Sequence, residues 1–154
     1  RYGYQSFSKI QISQLINLCK ILKKKFKIKS SFILGHSDIA PLRKIDPGEK
    51  FPWIKLNKKK IGYLPKNSFF KELDNKNNEV LDKFEFFLDN KDKILISMLK
   101  KIGYDTRAVG INKKIYHKLI SSYQMHYNQN NVTGEVDLRT YNLITNHYKD
   151  MLTL

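Results

Sequence analysis

A histidine, a lysine and an aspartate with side chains suited to chemistry lie close together in one short segment of this chain. His36, Lys44 and Asp46 all stand within the run from Gly35 to Gly48. An imidazole and a carboxylate that reach one point are ligands that zinc takes in proteins. A lysine two residues before the aspartate would lie beside that metal, where its charge could stabilise developing negative charge. The segment therefore predicts a metal site with His36 and Asp46 as ligands and Lys44 as a catalytic group.

Elements on both sides of the segment must hold it in place. Apolar residues recur every three or four positions over 8–25, which predicts an amphipathic helix, and Ser8 followed by Gln11 is a weak capping-box start. The apolar residues 32–34 predict a short buried strand that ends at the segment, whose prolines exclude regular structure. Pro52 can open a short helix through Lys59. We expect Phe51 and Trp53 to pack beneath the site, and Asp38 to brace the loop through an Asx-type turn.

The later part of the chain is predicted to be helical. Residues 66–80 are rich in Asn, Lys, Asp and Glu and have no apolar period, which is typical of a linker. Three patterns with helical spacing follow, at Phe84–Ile102, Asn112–Asn128 and Asp137–Met151. Three short helices with tight turns can close a small core. We therefore expect one unit at residues 1–66, a linker at 67–83 and a second unit at 84–154.

Composition narrows the classes of function. The 154 residues carry a net charge of +15, from 29 basic and 14 acidic residues. The basic residues are mostly lysines, which favours a solvated lysine-rich surface over an arginine-rich surface that reads nucleic acid. Adhesion to an anionic envelope polymer or to nucleic acid stays as the alternative. The single Cys19 excludes an internal disulfide, and no apolar run is long enough for a membrane span.

The other histidines and the tyrosines of the helical part point to packing. His117, His126 and His147 have no local metal-binding spacing, so structural or surface roles are expected. Four tyrosines could line a glycan groove, but core packing with a solvated hydroxyl is favoured; they are Tyr104, Tyr123, Tyr127 and Tyr141.

The order of residues in and after the loop resembles the signature of the zinc-dependent N-acetylmuramoyl-L-alanine amidases. This is the amidase type related to phage T7 lysozyme and to peptidoglycan recognition proteins. The matching elements are Gly-His-Ser-Asp-Ile-Ala-Pro, Arg-Lys, Asp-Pro-Gly and Phe-Pro-Trp, in that order. They place residues 1 to about 65 on the C-terminal half of that domain. Residues 101–105, 123–127 and 134–140 resemble the helical peptidoglycan-binding domain that follows it in periplasmic amidases.

The resemblance implies an α/β fold. Its first part is the C-terminal half of a mixed-sheet zinc-amidase domain, largely helical as it stands. A small all-α three-helix peptidoglycan-binding domain follows. It implies hydrolysis of the amide between N-acetylmuramic acid and L-alanine by a zinc-activated water. His36 and Asp46 match the second histidine and the aspartate that hold zinc, and Lys44 matches the basic residue that stabilises the oxyanion. The implied partner is peptidoglycan, and no nucleic acid is expected. The companion domain favours the periplasm or cell envelope over the cytoplasm.

The chain departs from the family pattern in one respect. The family's first zinc histidine and its general-base glutamate precede the helix that opens here, and the 154 residues hold no such segment. Since Arg1 begins a run typical of the interior of a protein, we expect the natural N-terminus to lie upstream. The truncated sheet predicts an exposed apolar surface on the Ser8–Phe26 helix and on the Phe32 strand. The alternative functions are a non-catalytic peptidoglycan-binding module and, ranked last, a lysine-rich nucleic-acid binder.

Overall fold

The computed structural model describes residues 5–65, 88–109 and 113–153, and these residues form helices and loops without a strand. The largely helical character is therefore confirmed. The expected α/β fold implied part of a sheet, but the described ranges contain no strand. In chain order the helices are α1 (Lys9–Phe26), a 3-10 turn (Ser30–Phe32), α2 (His36–Ile39), α3 (Trp53–Asn57), α4 (Leu88–Ile102), α5 (Lys113–Tyr127) and α6 (Leu138–Met151). The predicted linker at 67–83, the start of the first helical pattern at Phe84 and the start of the second at Asn112 lie outside the described residues.

Helix α1 begins at the predicted capping box. The N–H of Gln11 donates to Oγ of Ser8 at 3.1 Å, and the N–H of Ser8 donates to Oε1 of Gln11 at 2.9 Å. These reciprocal bonds satisfy two N–H groups that have no partner inside the helix. The helix ends at Phe26, and the next residue, Lys27, caps it with a left-handed φ of 53°.

Helix α1 has one buried and one exposed apolar face. Ile12 and Ile16 are buried in a small core that also contains Trp53. On the other side, Ile21 and Phe26 are 62% and 60% exposed. The predicted exposed apolar surface on this helix is therefore confirmed.

The strand predicted at residues 32–34 is wrong. Ser30–Phe32 forms a 3-10 turn, and Phe32 and Leu34 are exposed. Three apolar residues are too few to define a strand by their pattern, and a strand needs a neighbouring strand to pair with. The loop also contains the one-turn helix α2, where irregular structure was expected, and α3 ends at Asn57 rather than at Lys59.

The last three helices enclose the larger core. Helix α4 packs against α6, and the core is filled by Leu95, Leu99, Leu119, Ile120, Leu143 and Ile144. Asp137 caps α6 by accepting the N–H of Thr140 at 2.6 Å. Tyr104, Tyr123 and Tyr127 are buried in this core and Tyr141 packs against it, which confirms packing as their role. The expected solvated hydroxyl is wrong for Tyr104 and Tyr123, whose hydroxyls face Asp38 and His147 in the interior. No described helix is long and apolar enough to cross a membrane.

The first part of the chain packs onto this helical core. Tyr63 and Leu64 contact the larger core, and the Tyr63 hydroxyl donates to the carboxylate of Asp150 on α6. Helix α2 lies against α5. The loop that contains His36 is therefore built on the C-terminal helices.

Candidate metal centre

The two residues predicted as metal ligands lie side by side at the surface. His36 is the first residue of α2, and its Nδ1 lies 2.6 Å from Oδ2 of Asp46. The two side chains are 69% and 58% exposed, so a ligand can reach both from solvent. The loop has thus brought together two donors that are ten positions apart in sequence.

Backbone hydrogen bonds turn the chain so that these side chains meet. The N–H groups of Arg43 and Lys44 both donate to the carbonyl of Ala40 at 2.9 Å, which reverses the chain after α2. The N–H of Ser37 then donates to the carbonyl of Asp46 at 3.0 Å. This bond holds the backbone of Asp46 against the first turn of α2, next to His36.

The close approach of the two arms of the loop requires glycine at position 35. A Cβ on Gly35 would lie 2.5 Å from Cδ of Pro47, a distance that side chains do not tolerate. Gly48 follows with a φ of 78°, a left-handed conformation that favours glycine. These two positions of the predicted motif therefore have a steric explanation.

Lys44 is exposed and acts on the same carboxylate through its charge. Desolvation, the largest single influence, raises the pKa of Asp46, and the hydrogen bonds from His36 and from the Asp46 backbone N–H act against it. The charges of His36 and Lys44 add to the lowering, so the pKa of Asp46 lies below its ordinary value of 3.8. Asp46 is therefore a carboxylate at neutral pH, the form that binds a metal.

A second carboxylate, Asp38, lies beneath the surface pair and accepts three hydrogen bonds. The N–H of Gly35 donates to it at 2.8 Å, the hydroxyl of Tyr104 at 2.7 Å and Nδ1 of His126 at 2.8 Å. Burial alone would raise the pKa of Asp38, but the hydrogen bond and charge of His126, with the other two bonds, lower it below 3.8. The predicted bracing role is confirmed, although Asp38 bonds back to the start of α2 rather than forming an Asx turn.

The C-terminal helices hold the loop at further points. The hydroxyl of Ser122 donates to the carbonyl of Pro41 at 3.0 Å. The side-chain amide of Gln129 donates to the carbonyls of Glu49 and Phe51, each at 2.7 Å. These bonds come from α5 and the residues just after it, and they hold the loop on both sides of Asp46.

Trp53 packs beneath the site, as predicted, and meets a histidine there. It is buried, and its ring stacks on the imidazole of His126 with ring centres 3.7 Å apart. Phe51 is also buried and touches the Trp53 ring edge-on.

The roles of Tyr104 and His126 toward the loop were not predicted in detail. Both were expected to serve structure, which is confirmed, but their partner Asp38 is 66 and 88 positions away in sequence. Periodicity identifies buried positions on a helix and contains no signal for such a distant partner.

The donors present fit part of a zinc site. An imidazole and a carboxylate are both zinc ligands, and catalytic zinc sites have three protein ligands. Within residues 5–65, 88–109 and 113–153, no group of three or more His, Cys, Asp or Glu residues could hold a metal ion. The described part of the chain therefore offers His36 and Asp46 as two ligands of such a site.

Known proteins with similar sequences are amidases. No protein-family model matches the chain. It is 28% identical over 144 residues to the N-acetylmuramoyl-L-alanine amidase AmiD of Escherichia coli, which covers 89% of this chain and 47% of AmiD. Over 50 residues it is 44% identical to the 1,6-anhydro-N-acetylmuramyl-L-alanine amidase AmpD of Haemophilus influenzae, covering 32% of this chain and 27% of AmpD. The chain therefore spans about half the length of AmiD.

Solved structures show the same relation in three dimensions. AmiD from E. coli, in complex with the substrate anhydro-N-acetylmuramic acid-L-Ala-D-γ-Glu-L-Lys, matches with a TM-score of 0.74 at 27% identity, covering 94% of this chain and 53% of AmiD. AmpDh3 from Pseudomonas aeruginosa matches with a TM-score of 0.72 at 26% identity, covering 96% of this chain and 56% of AmpDh3.

The fold over most of the chain is thus that of the muramyl-amide hydrolases. More closely, the chain is related by sequence and structure to the AmiD- and AmpD-type N-acetylmuramoyl-L-alanine amidases, the type 2 amidase family. The resemblance drawn from the Gly35–Gly48 loop is confirmed.

Proposed function

We propose that this chain carries the His36, Lys44 and Asp46 part of the active site of an N-acetylmuramoyl-L-alanine amidase. The enzyme would hydrolyse the amide bond between N-acetylmuramic acid and L-alanine in peptidoglycan or its fragments. The observation that carries the proposal is the His36–Asp46 pair, two zinc-type donors 2.6 Å apart and open to solvent in a relative of AmiD. The complex of AmiD with an anhydromuropeptide supports the substrate class.

Each of the three residues has a separate task in this proposal. Zinc, when bound, supplies a Lewis acid and lowers the pKa of a nearby water molecule. His36 and Asp46 present a nitrogen and an oxygen donor, and the lowered pKa of Asp46 keeps that donor ionised at neutral pH. Lys44 provides a fixed positive charge near Asp46, where it would stabilise negative charge developing on the amide oxygen.

The surroundings of the pair suit a bulky substrate. Because His36 and Asp46 are exposed, a glycan strand with its stem peptide can approach without entering a closed cavity. Peptidoglycan is an envelope polymer, so we place the activity in the periplasm or cell envelope.

The second candidate is a non-catalytic peptidoglycan-binding module. The number of ligands favours it: the described residues offer two where a catalytic zinc site has three. In this case the chain would bind the polymer through its helical part without hydrolysing it.

Zinc content and muropeptide cleavage test the proposal together. The purified chain should hold about one zinc per molecule, and His36→Ala and Asp46→Ala should each lose it. The same two variants should no longer release the stem peptide from an anhydromuropeptide. Chromatography of the reaction mixture measures this release. His117→Ala and Asp105→Ala are matched controls, because these residues lie on α5 and after α4, outside the loop.

The outcomes separate the candidates. Equal zinc content in the His36→Ala and His117→Ala proteins would show that the proposed ligand set is wrong. A chain that is retained on purified sacculi at physiological salt, with neither zinc nor cleavage, would be the binding module. A chain that does none of these would contradict both candidates.

A further inference from the structure

Three polar residues of α5 and of the turn after it face the first part of the chain. Ser122, His126 and Gln129 are spaced by four and three positions, which places them on one side of a helix. Ser122 and His126 are buried, whereas the side of α5 that meets the helical core is apolar and includes Leu119 and Ile120. A buried polar group is costly unless it is bonded, so what these three residues bond explains their place on the helix.

The first contact of this polar side fixes the turn that carries His36. Oδ2 of Asp38 accepts the N–H of Gly35 at 2.8 Å and lies 2.8 Å from Nδ1 of His126. One oxygen atom thus joins α5 to the residue directly before His36. Helix α2 has only four residues, and so short a helix takes its stability from packing rather than from its own hydrogen bonds. Its orientation therefore depends on α5.

The second contact fixes the arm of the loop that carries Asp46. The side-chain amide of Gln129 donates to the carbonyls of Glu49 and Phe51, each at 2.7 Å. These two residues follow Asp46 by three and five positions. The two candidate metal ligands thus lie on separate arms, and both arms are bonded to the same end of one helix.

The pair of ligands contributes little to its own geometry. The side chains of His36 and Asp46 are 69% and 58% exposed, and an exposed pair of this kind adds little stability. The backbone positions of the two arms therefore decide how far apart the two side chains lie.

We propose that Ser122, His126 and Gln129 are positioning residues, which set the distance between the metal donors of His36 and Asp46. Groups that orient metal ligands without touching the metal change its affinity about 10–100-fold. The helical part of the chain, which the resemblance marks as a separate peptidoglycan-binding domain, would then be a component of the metal centre. Because His36 and Asp46 are taken as zinc ligands, the inference rests on the proposed function.

Zinc affinity of the full chain, measured by competition with a chromogenic chelator, tests the proposal. Gln129→Ala should weaken zinc binding about tenfold, because the arm of Asp46 loses two bonds. Asn131→Ala should leave the affinity unchanged, and it is the matched control because its side-chain amide bonds to Asp137 at the start of α6. His126→Phe retains an aromatic ring but removes the contact to the other arm, and it should also weaken zinc binding about tenfold.

Hydrogen exchange measured by NMR gives a readout that needs no metal. The N–H of Ser37 donates to the carbonyl of Asp46 at 3.0 Å, so its exchange reports whether the two arms are held together. In Gln129→Ala the Ser37 amide should exchange about tenfold faster, while the amide of Ile120 in the helical core keeps its rate. A loss of stability throughout the protein would instead raise both rates together.

The outcomes decide between a positioning role and a merely structural one. Unchanged zinc affinity in both Gln129→Ala and His126→Phe, or Ser37 exchange that rises only together with that of Ile120, would overturn the proposal. Gln129 is half-buried, so its variant gives the answer even if His126→Phe fails to fold. If the unmodified chain bound no zinc, the proposed function would fail, and the exchange of Ser37 would still show whether α5 sets the positions of the two arms.

Discussion

The described residues form two His–Asp pairs that differ in burial and therefore in role. His36 and Asp46 are 2.6 Å apart with side chains 69% and 58% exposed, whereas His126 and Asp38 are 2.8 Å apart with side chains 1% and 3% exposed. An exposed ion pair contributes only about 0–1 kcal/mol to stability, whereas breaking a buried pair costs about 3–5 kcal/mol. The same chemical pair is thus available to a ligand at the surface and serves as a brace in the interior.

The largest effect should come from breaking the buried pair. Asp38→Ala leaves His126, the Tyr104 hydroxyl and the Gly35 N–H without their shared acceptor. We expect a loss of about 3–5 kcal/mol in the free energy of unfolding, measured by urea denaturation. A loss below about 1 kcal/mol, the size expected at the surface, would show that the brace contributes little.

His147 is a buried histidine that no described carboxylate reaches at hydrogen-bond distance, and it should destabilise the fold in acid. Burial, with a smaller contribution from the charge of His126, lowers the pKa of His147 from 6.5 to about 4. The folded state therefore binds this proton less readily than the unfolded state, so the stability from neutral His147 is complete above pH 6.5 and is lost as the pH falls toward 4. The size is about 3 kcal/mol.

Urea denaturation at pH 7.5 and pH 4.5 measures this loss. The His147→Gln variant is the comparison, and its stability should change much less between the two pH values. Asp38 does not interfere, because its lowered pKa confines its own effect to lower pH, below about 3.8. If the His147→Gln variant lost as much stability between the two pH values as the unmodified protein, the loss would belong to another group.

Removing one hydroxyl sharpens the comparison within the buried pair. Tyr104→Phe deletes a single hydrogen bond to the ionised Asp38 and should cost about 1.5–3 kcal/mol. Tyr116→Phe is the control, because Tyr116 donates to Asp92 at a half-buried site and should cost less. Equal costs for the two variants would mean that burial does not set the strength of these bonds.

The smallest effect on stability should come from the surface pair. Asp46→Ala should change the free energy of unfolding by less than about 1 kcal/mol while abolishing zinc binding in the test proposed above. A large destabilisation would show that Asp46 is part of the brace rather than a free ligand position.

Local patterns predicted the elements and the loop well. The capping box of Ser8 and Gln11 and the three later helices are present, because each depends on contacts within one or two helical turns. The prediction of a strand at residues 32–34 was wrong, because pairing with a distant segment decides whether so short a run becomes a strand. The motif from Gly35 to Gly48 was sufficient to indicate the amidase family.

By itself the sequence determined the relation to the amidases, the helical segments and the candidate donors His36, Lys44 and Asp46. Only the tertiary structure decided which His–Asp pair is exposed and which is buried. Asp38 acquires its partners from residues 66 and 88 positions away, and the loop is held by Ser122 and Gln129. Burial is a property of all the elements packed around a side chain, so no local spacing contains it.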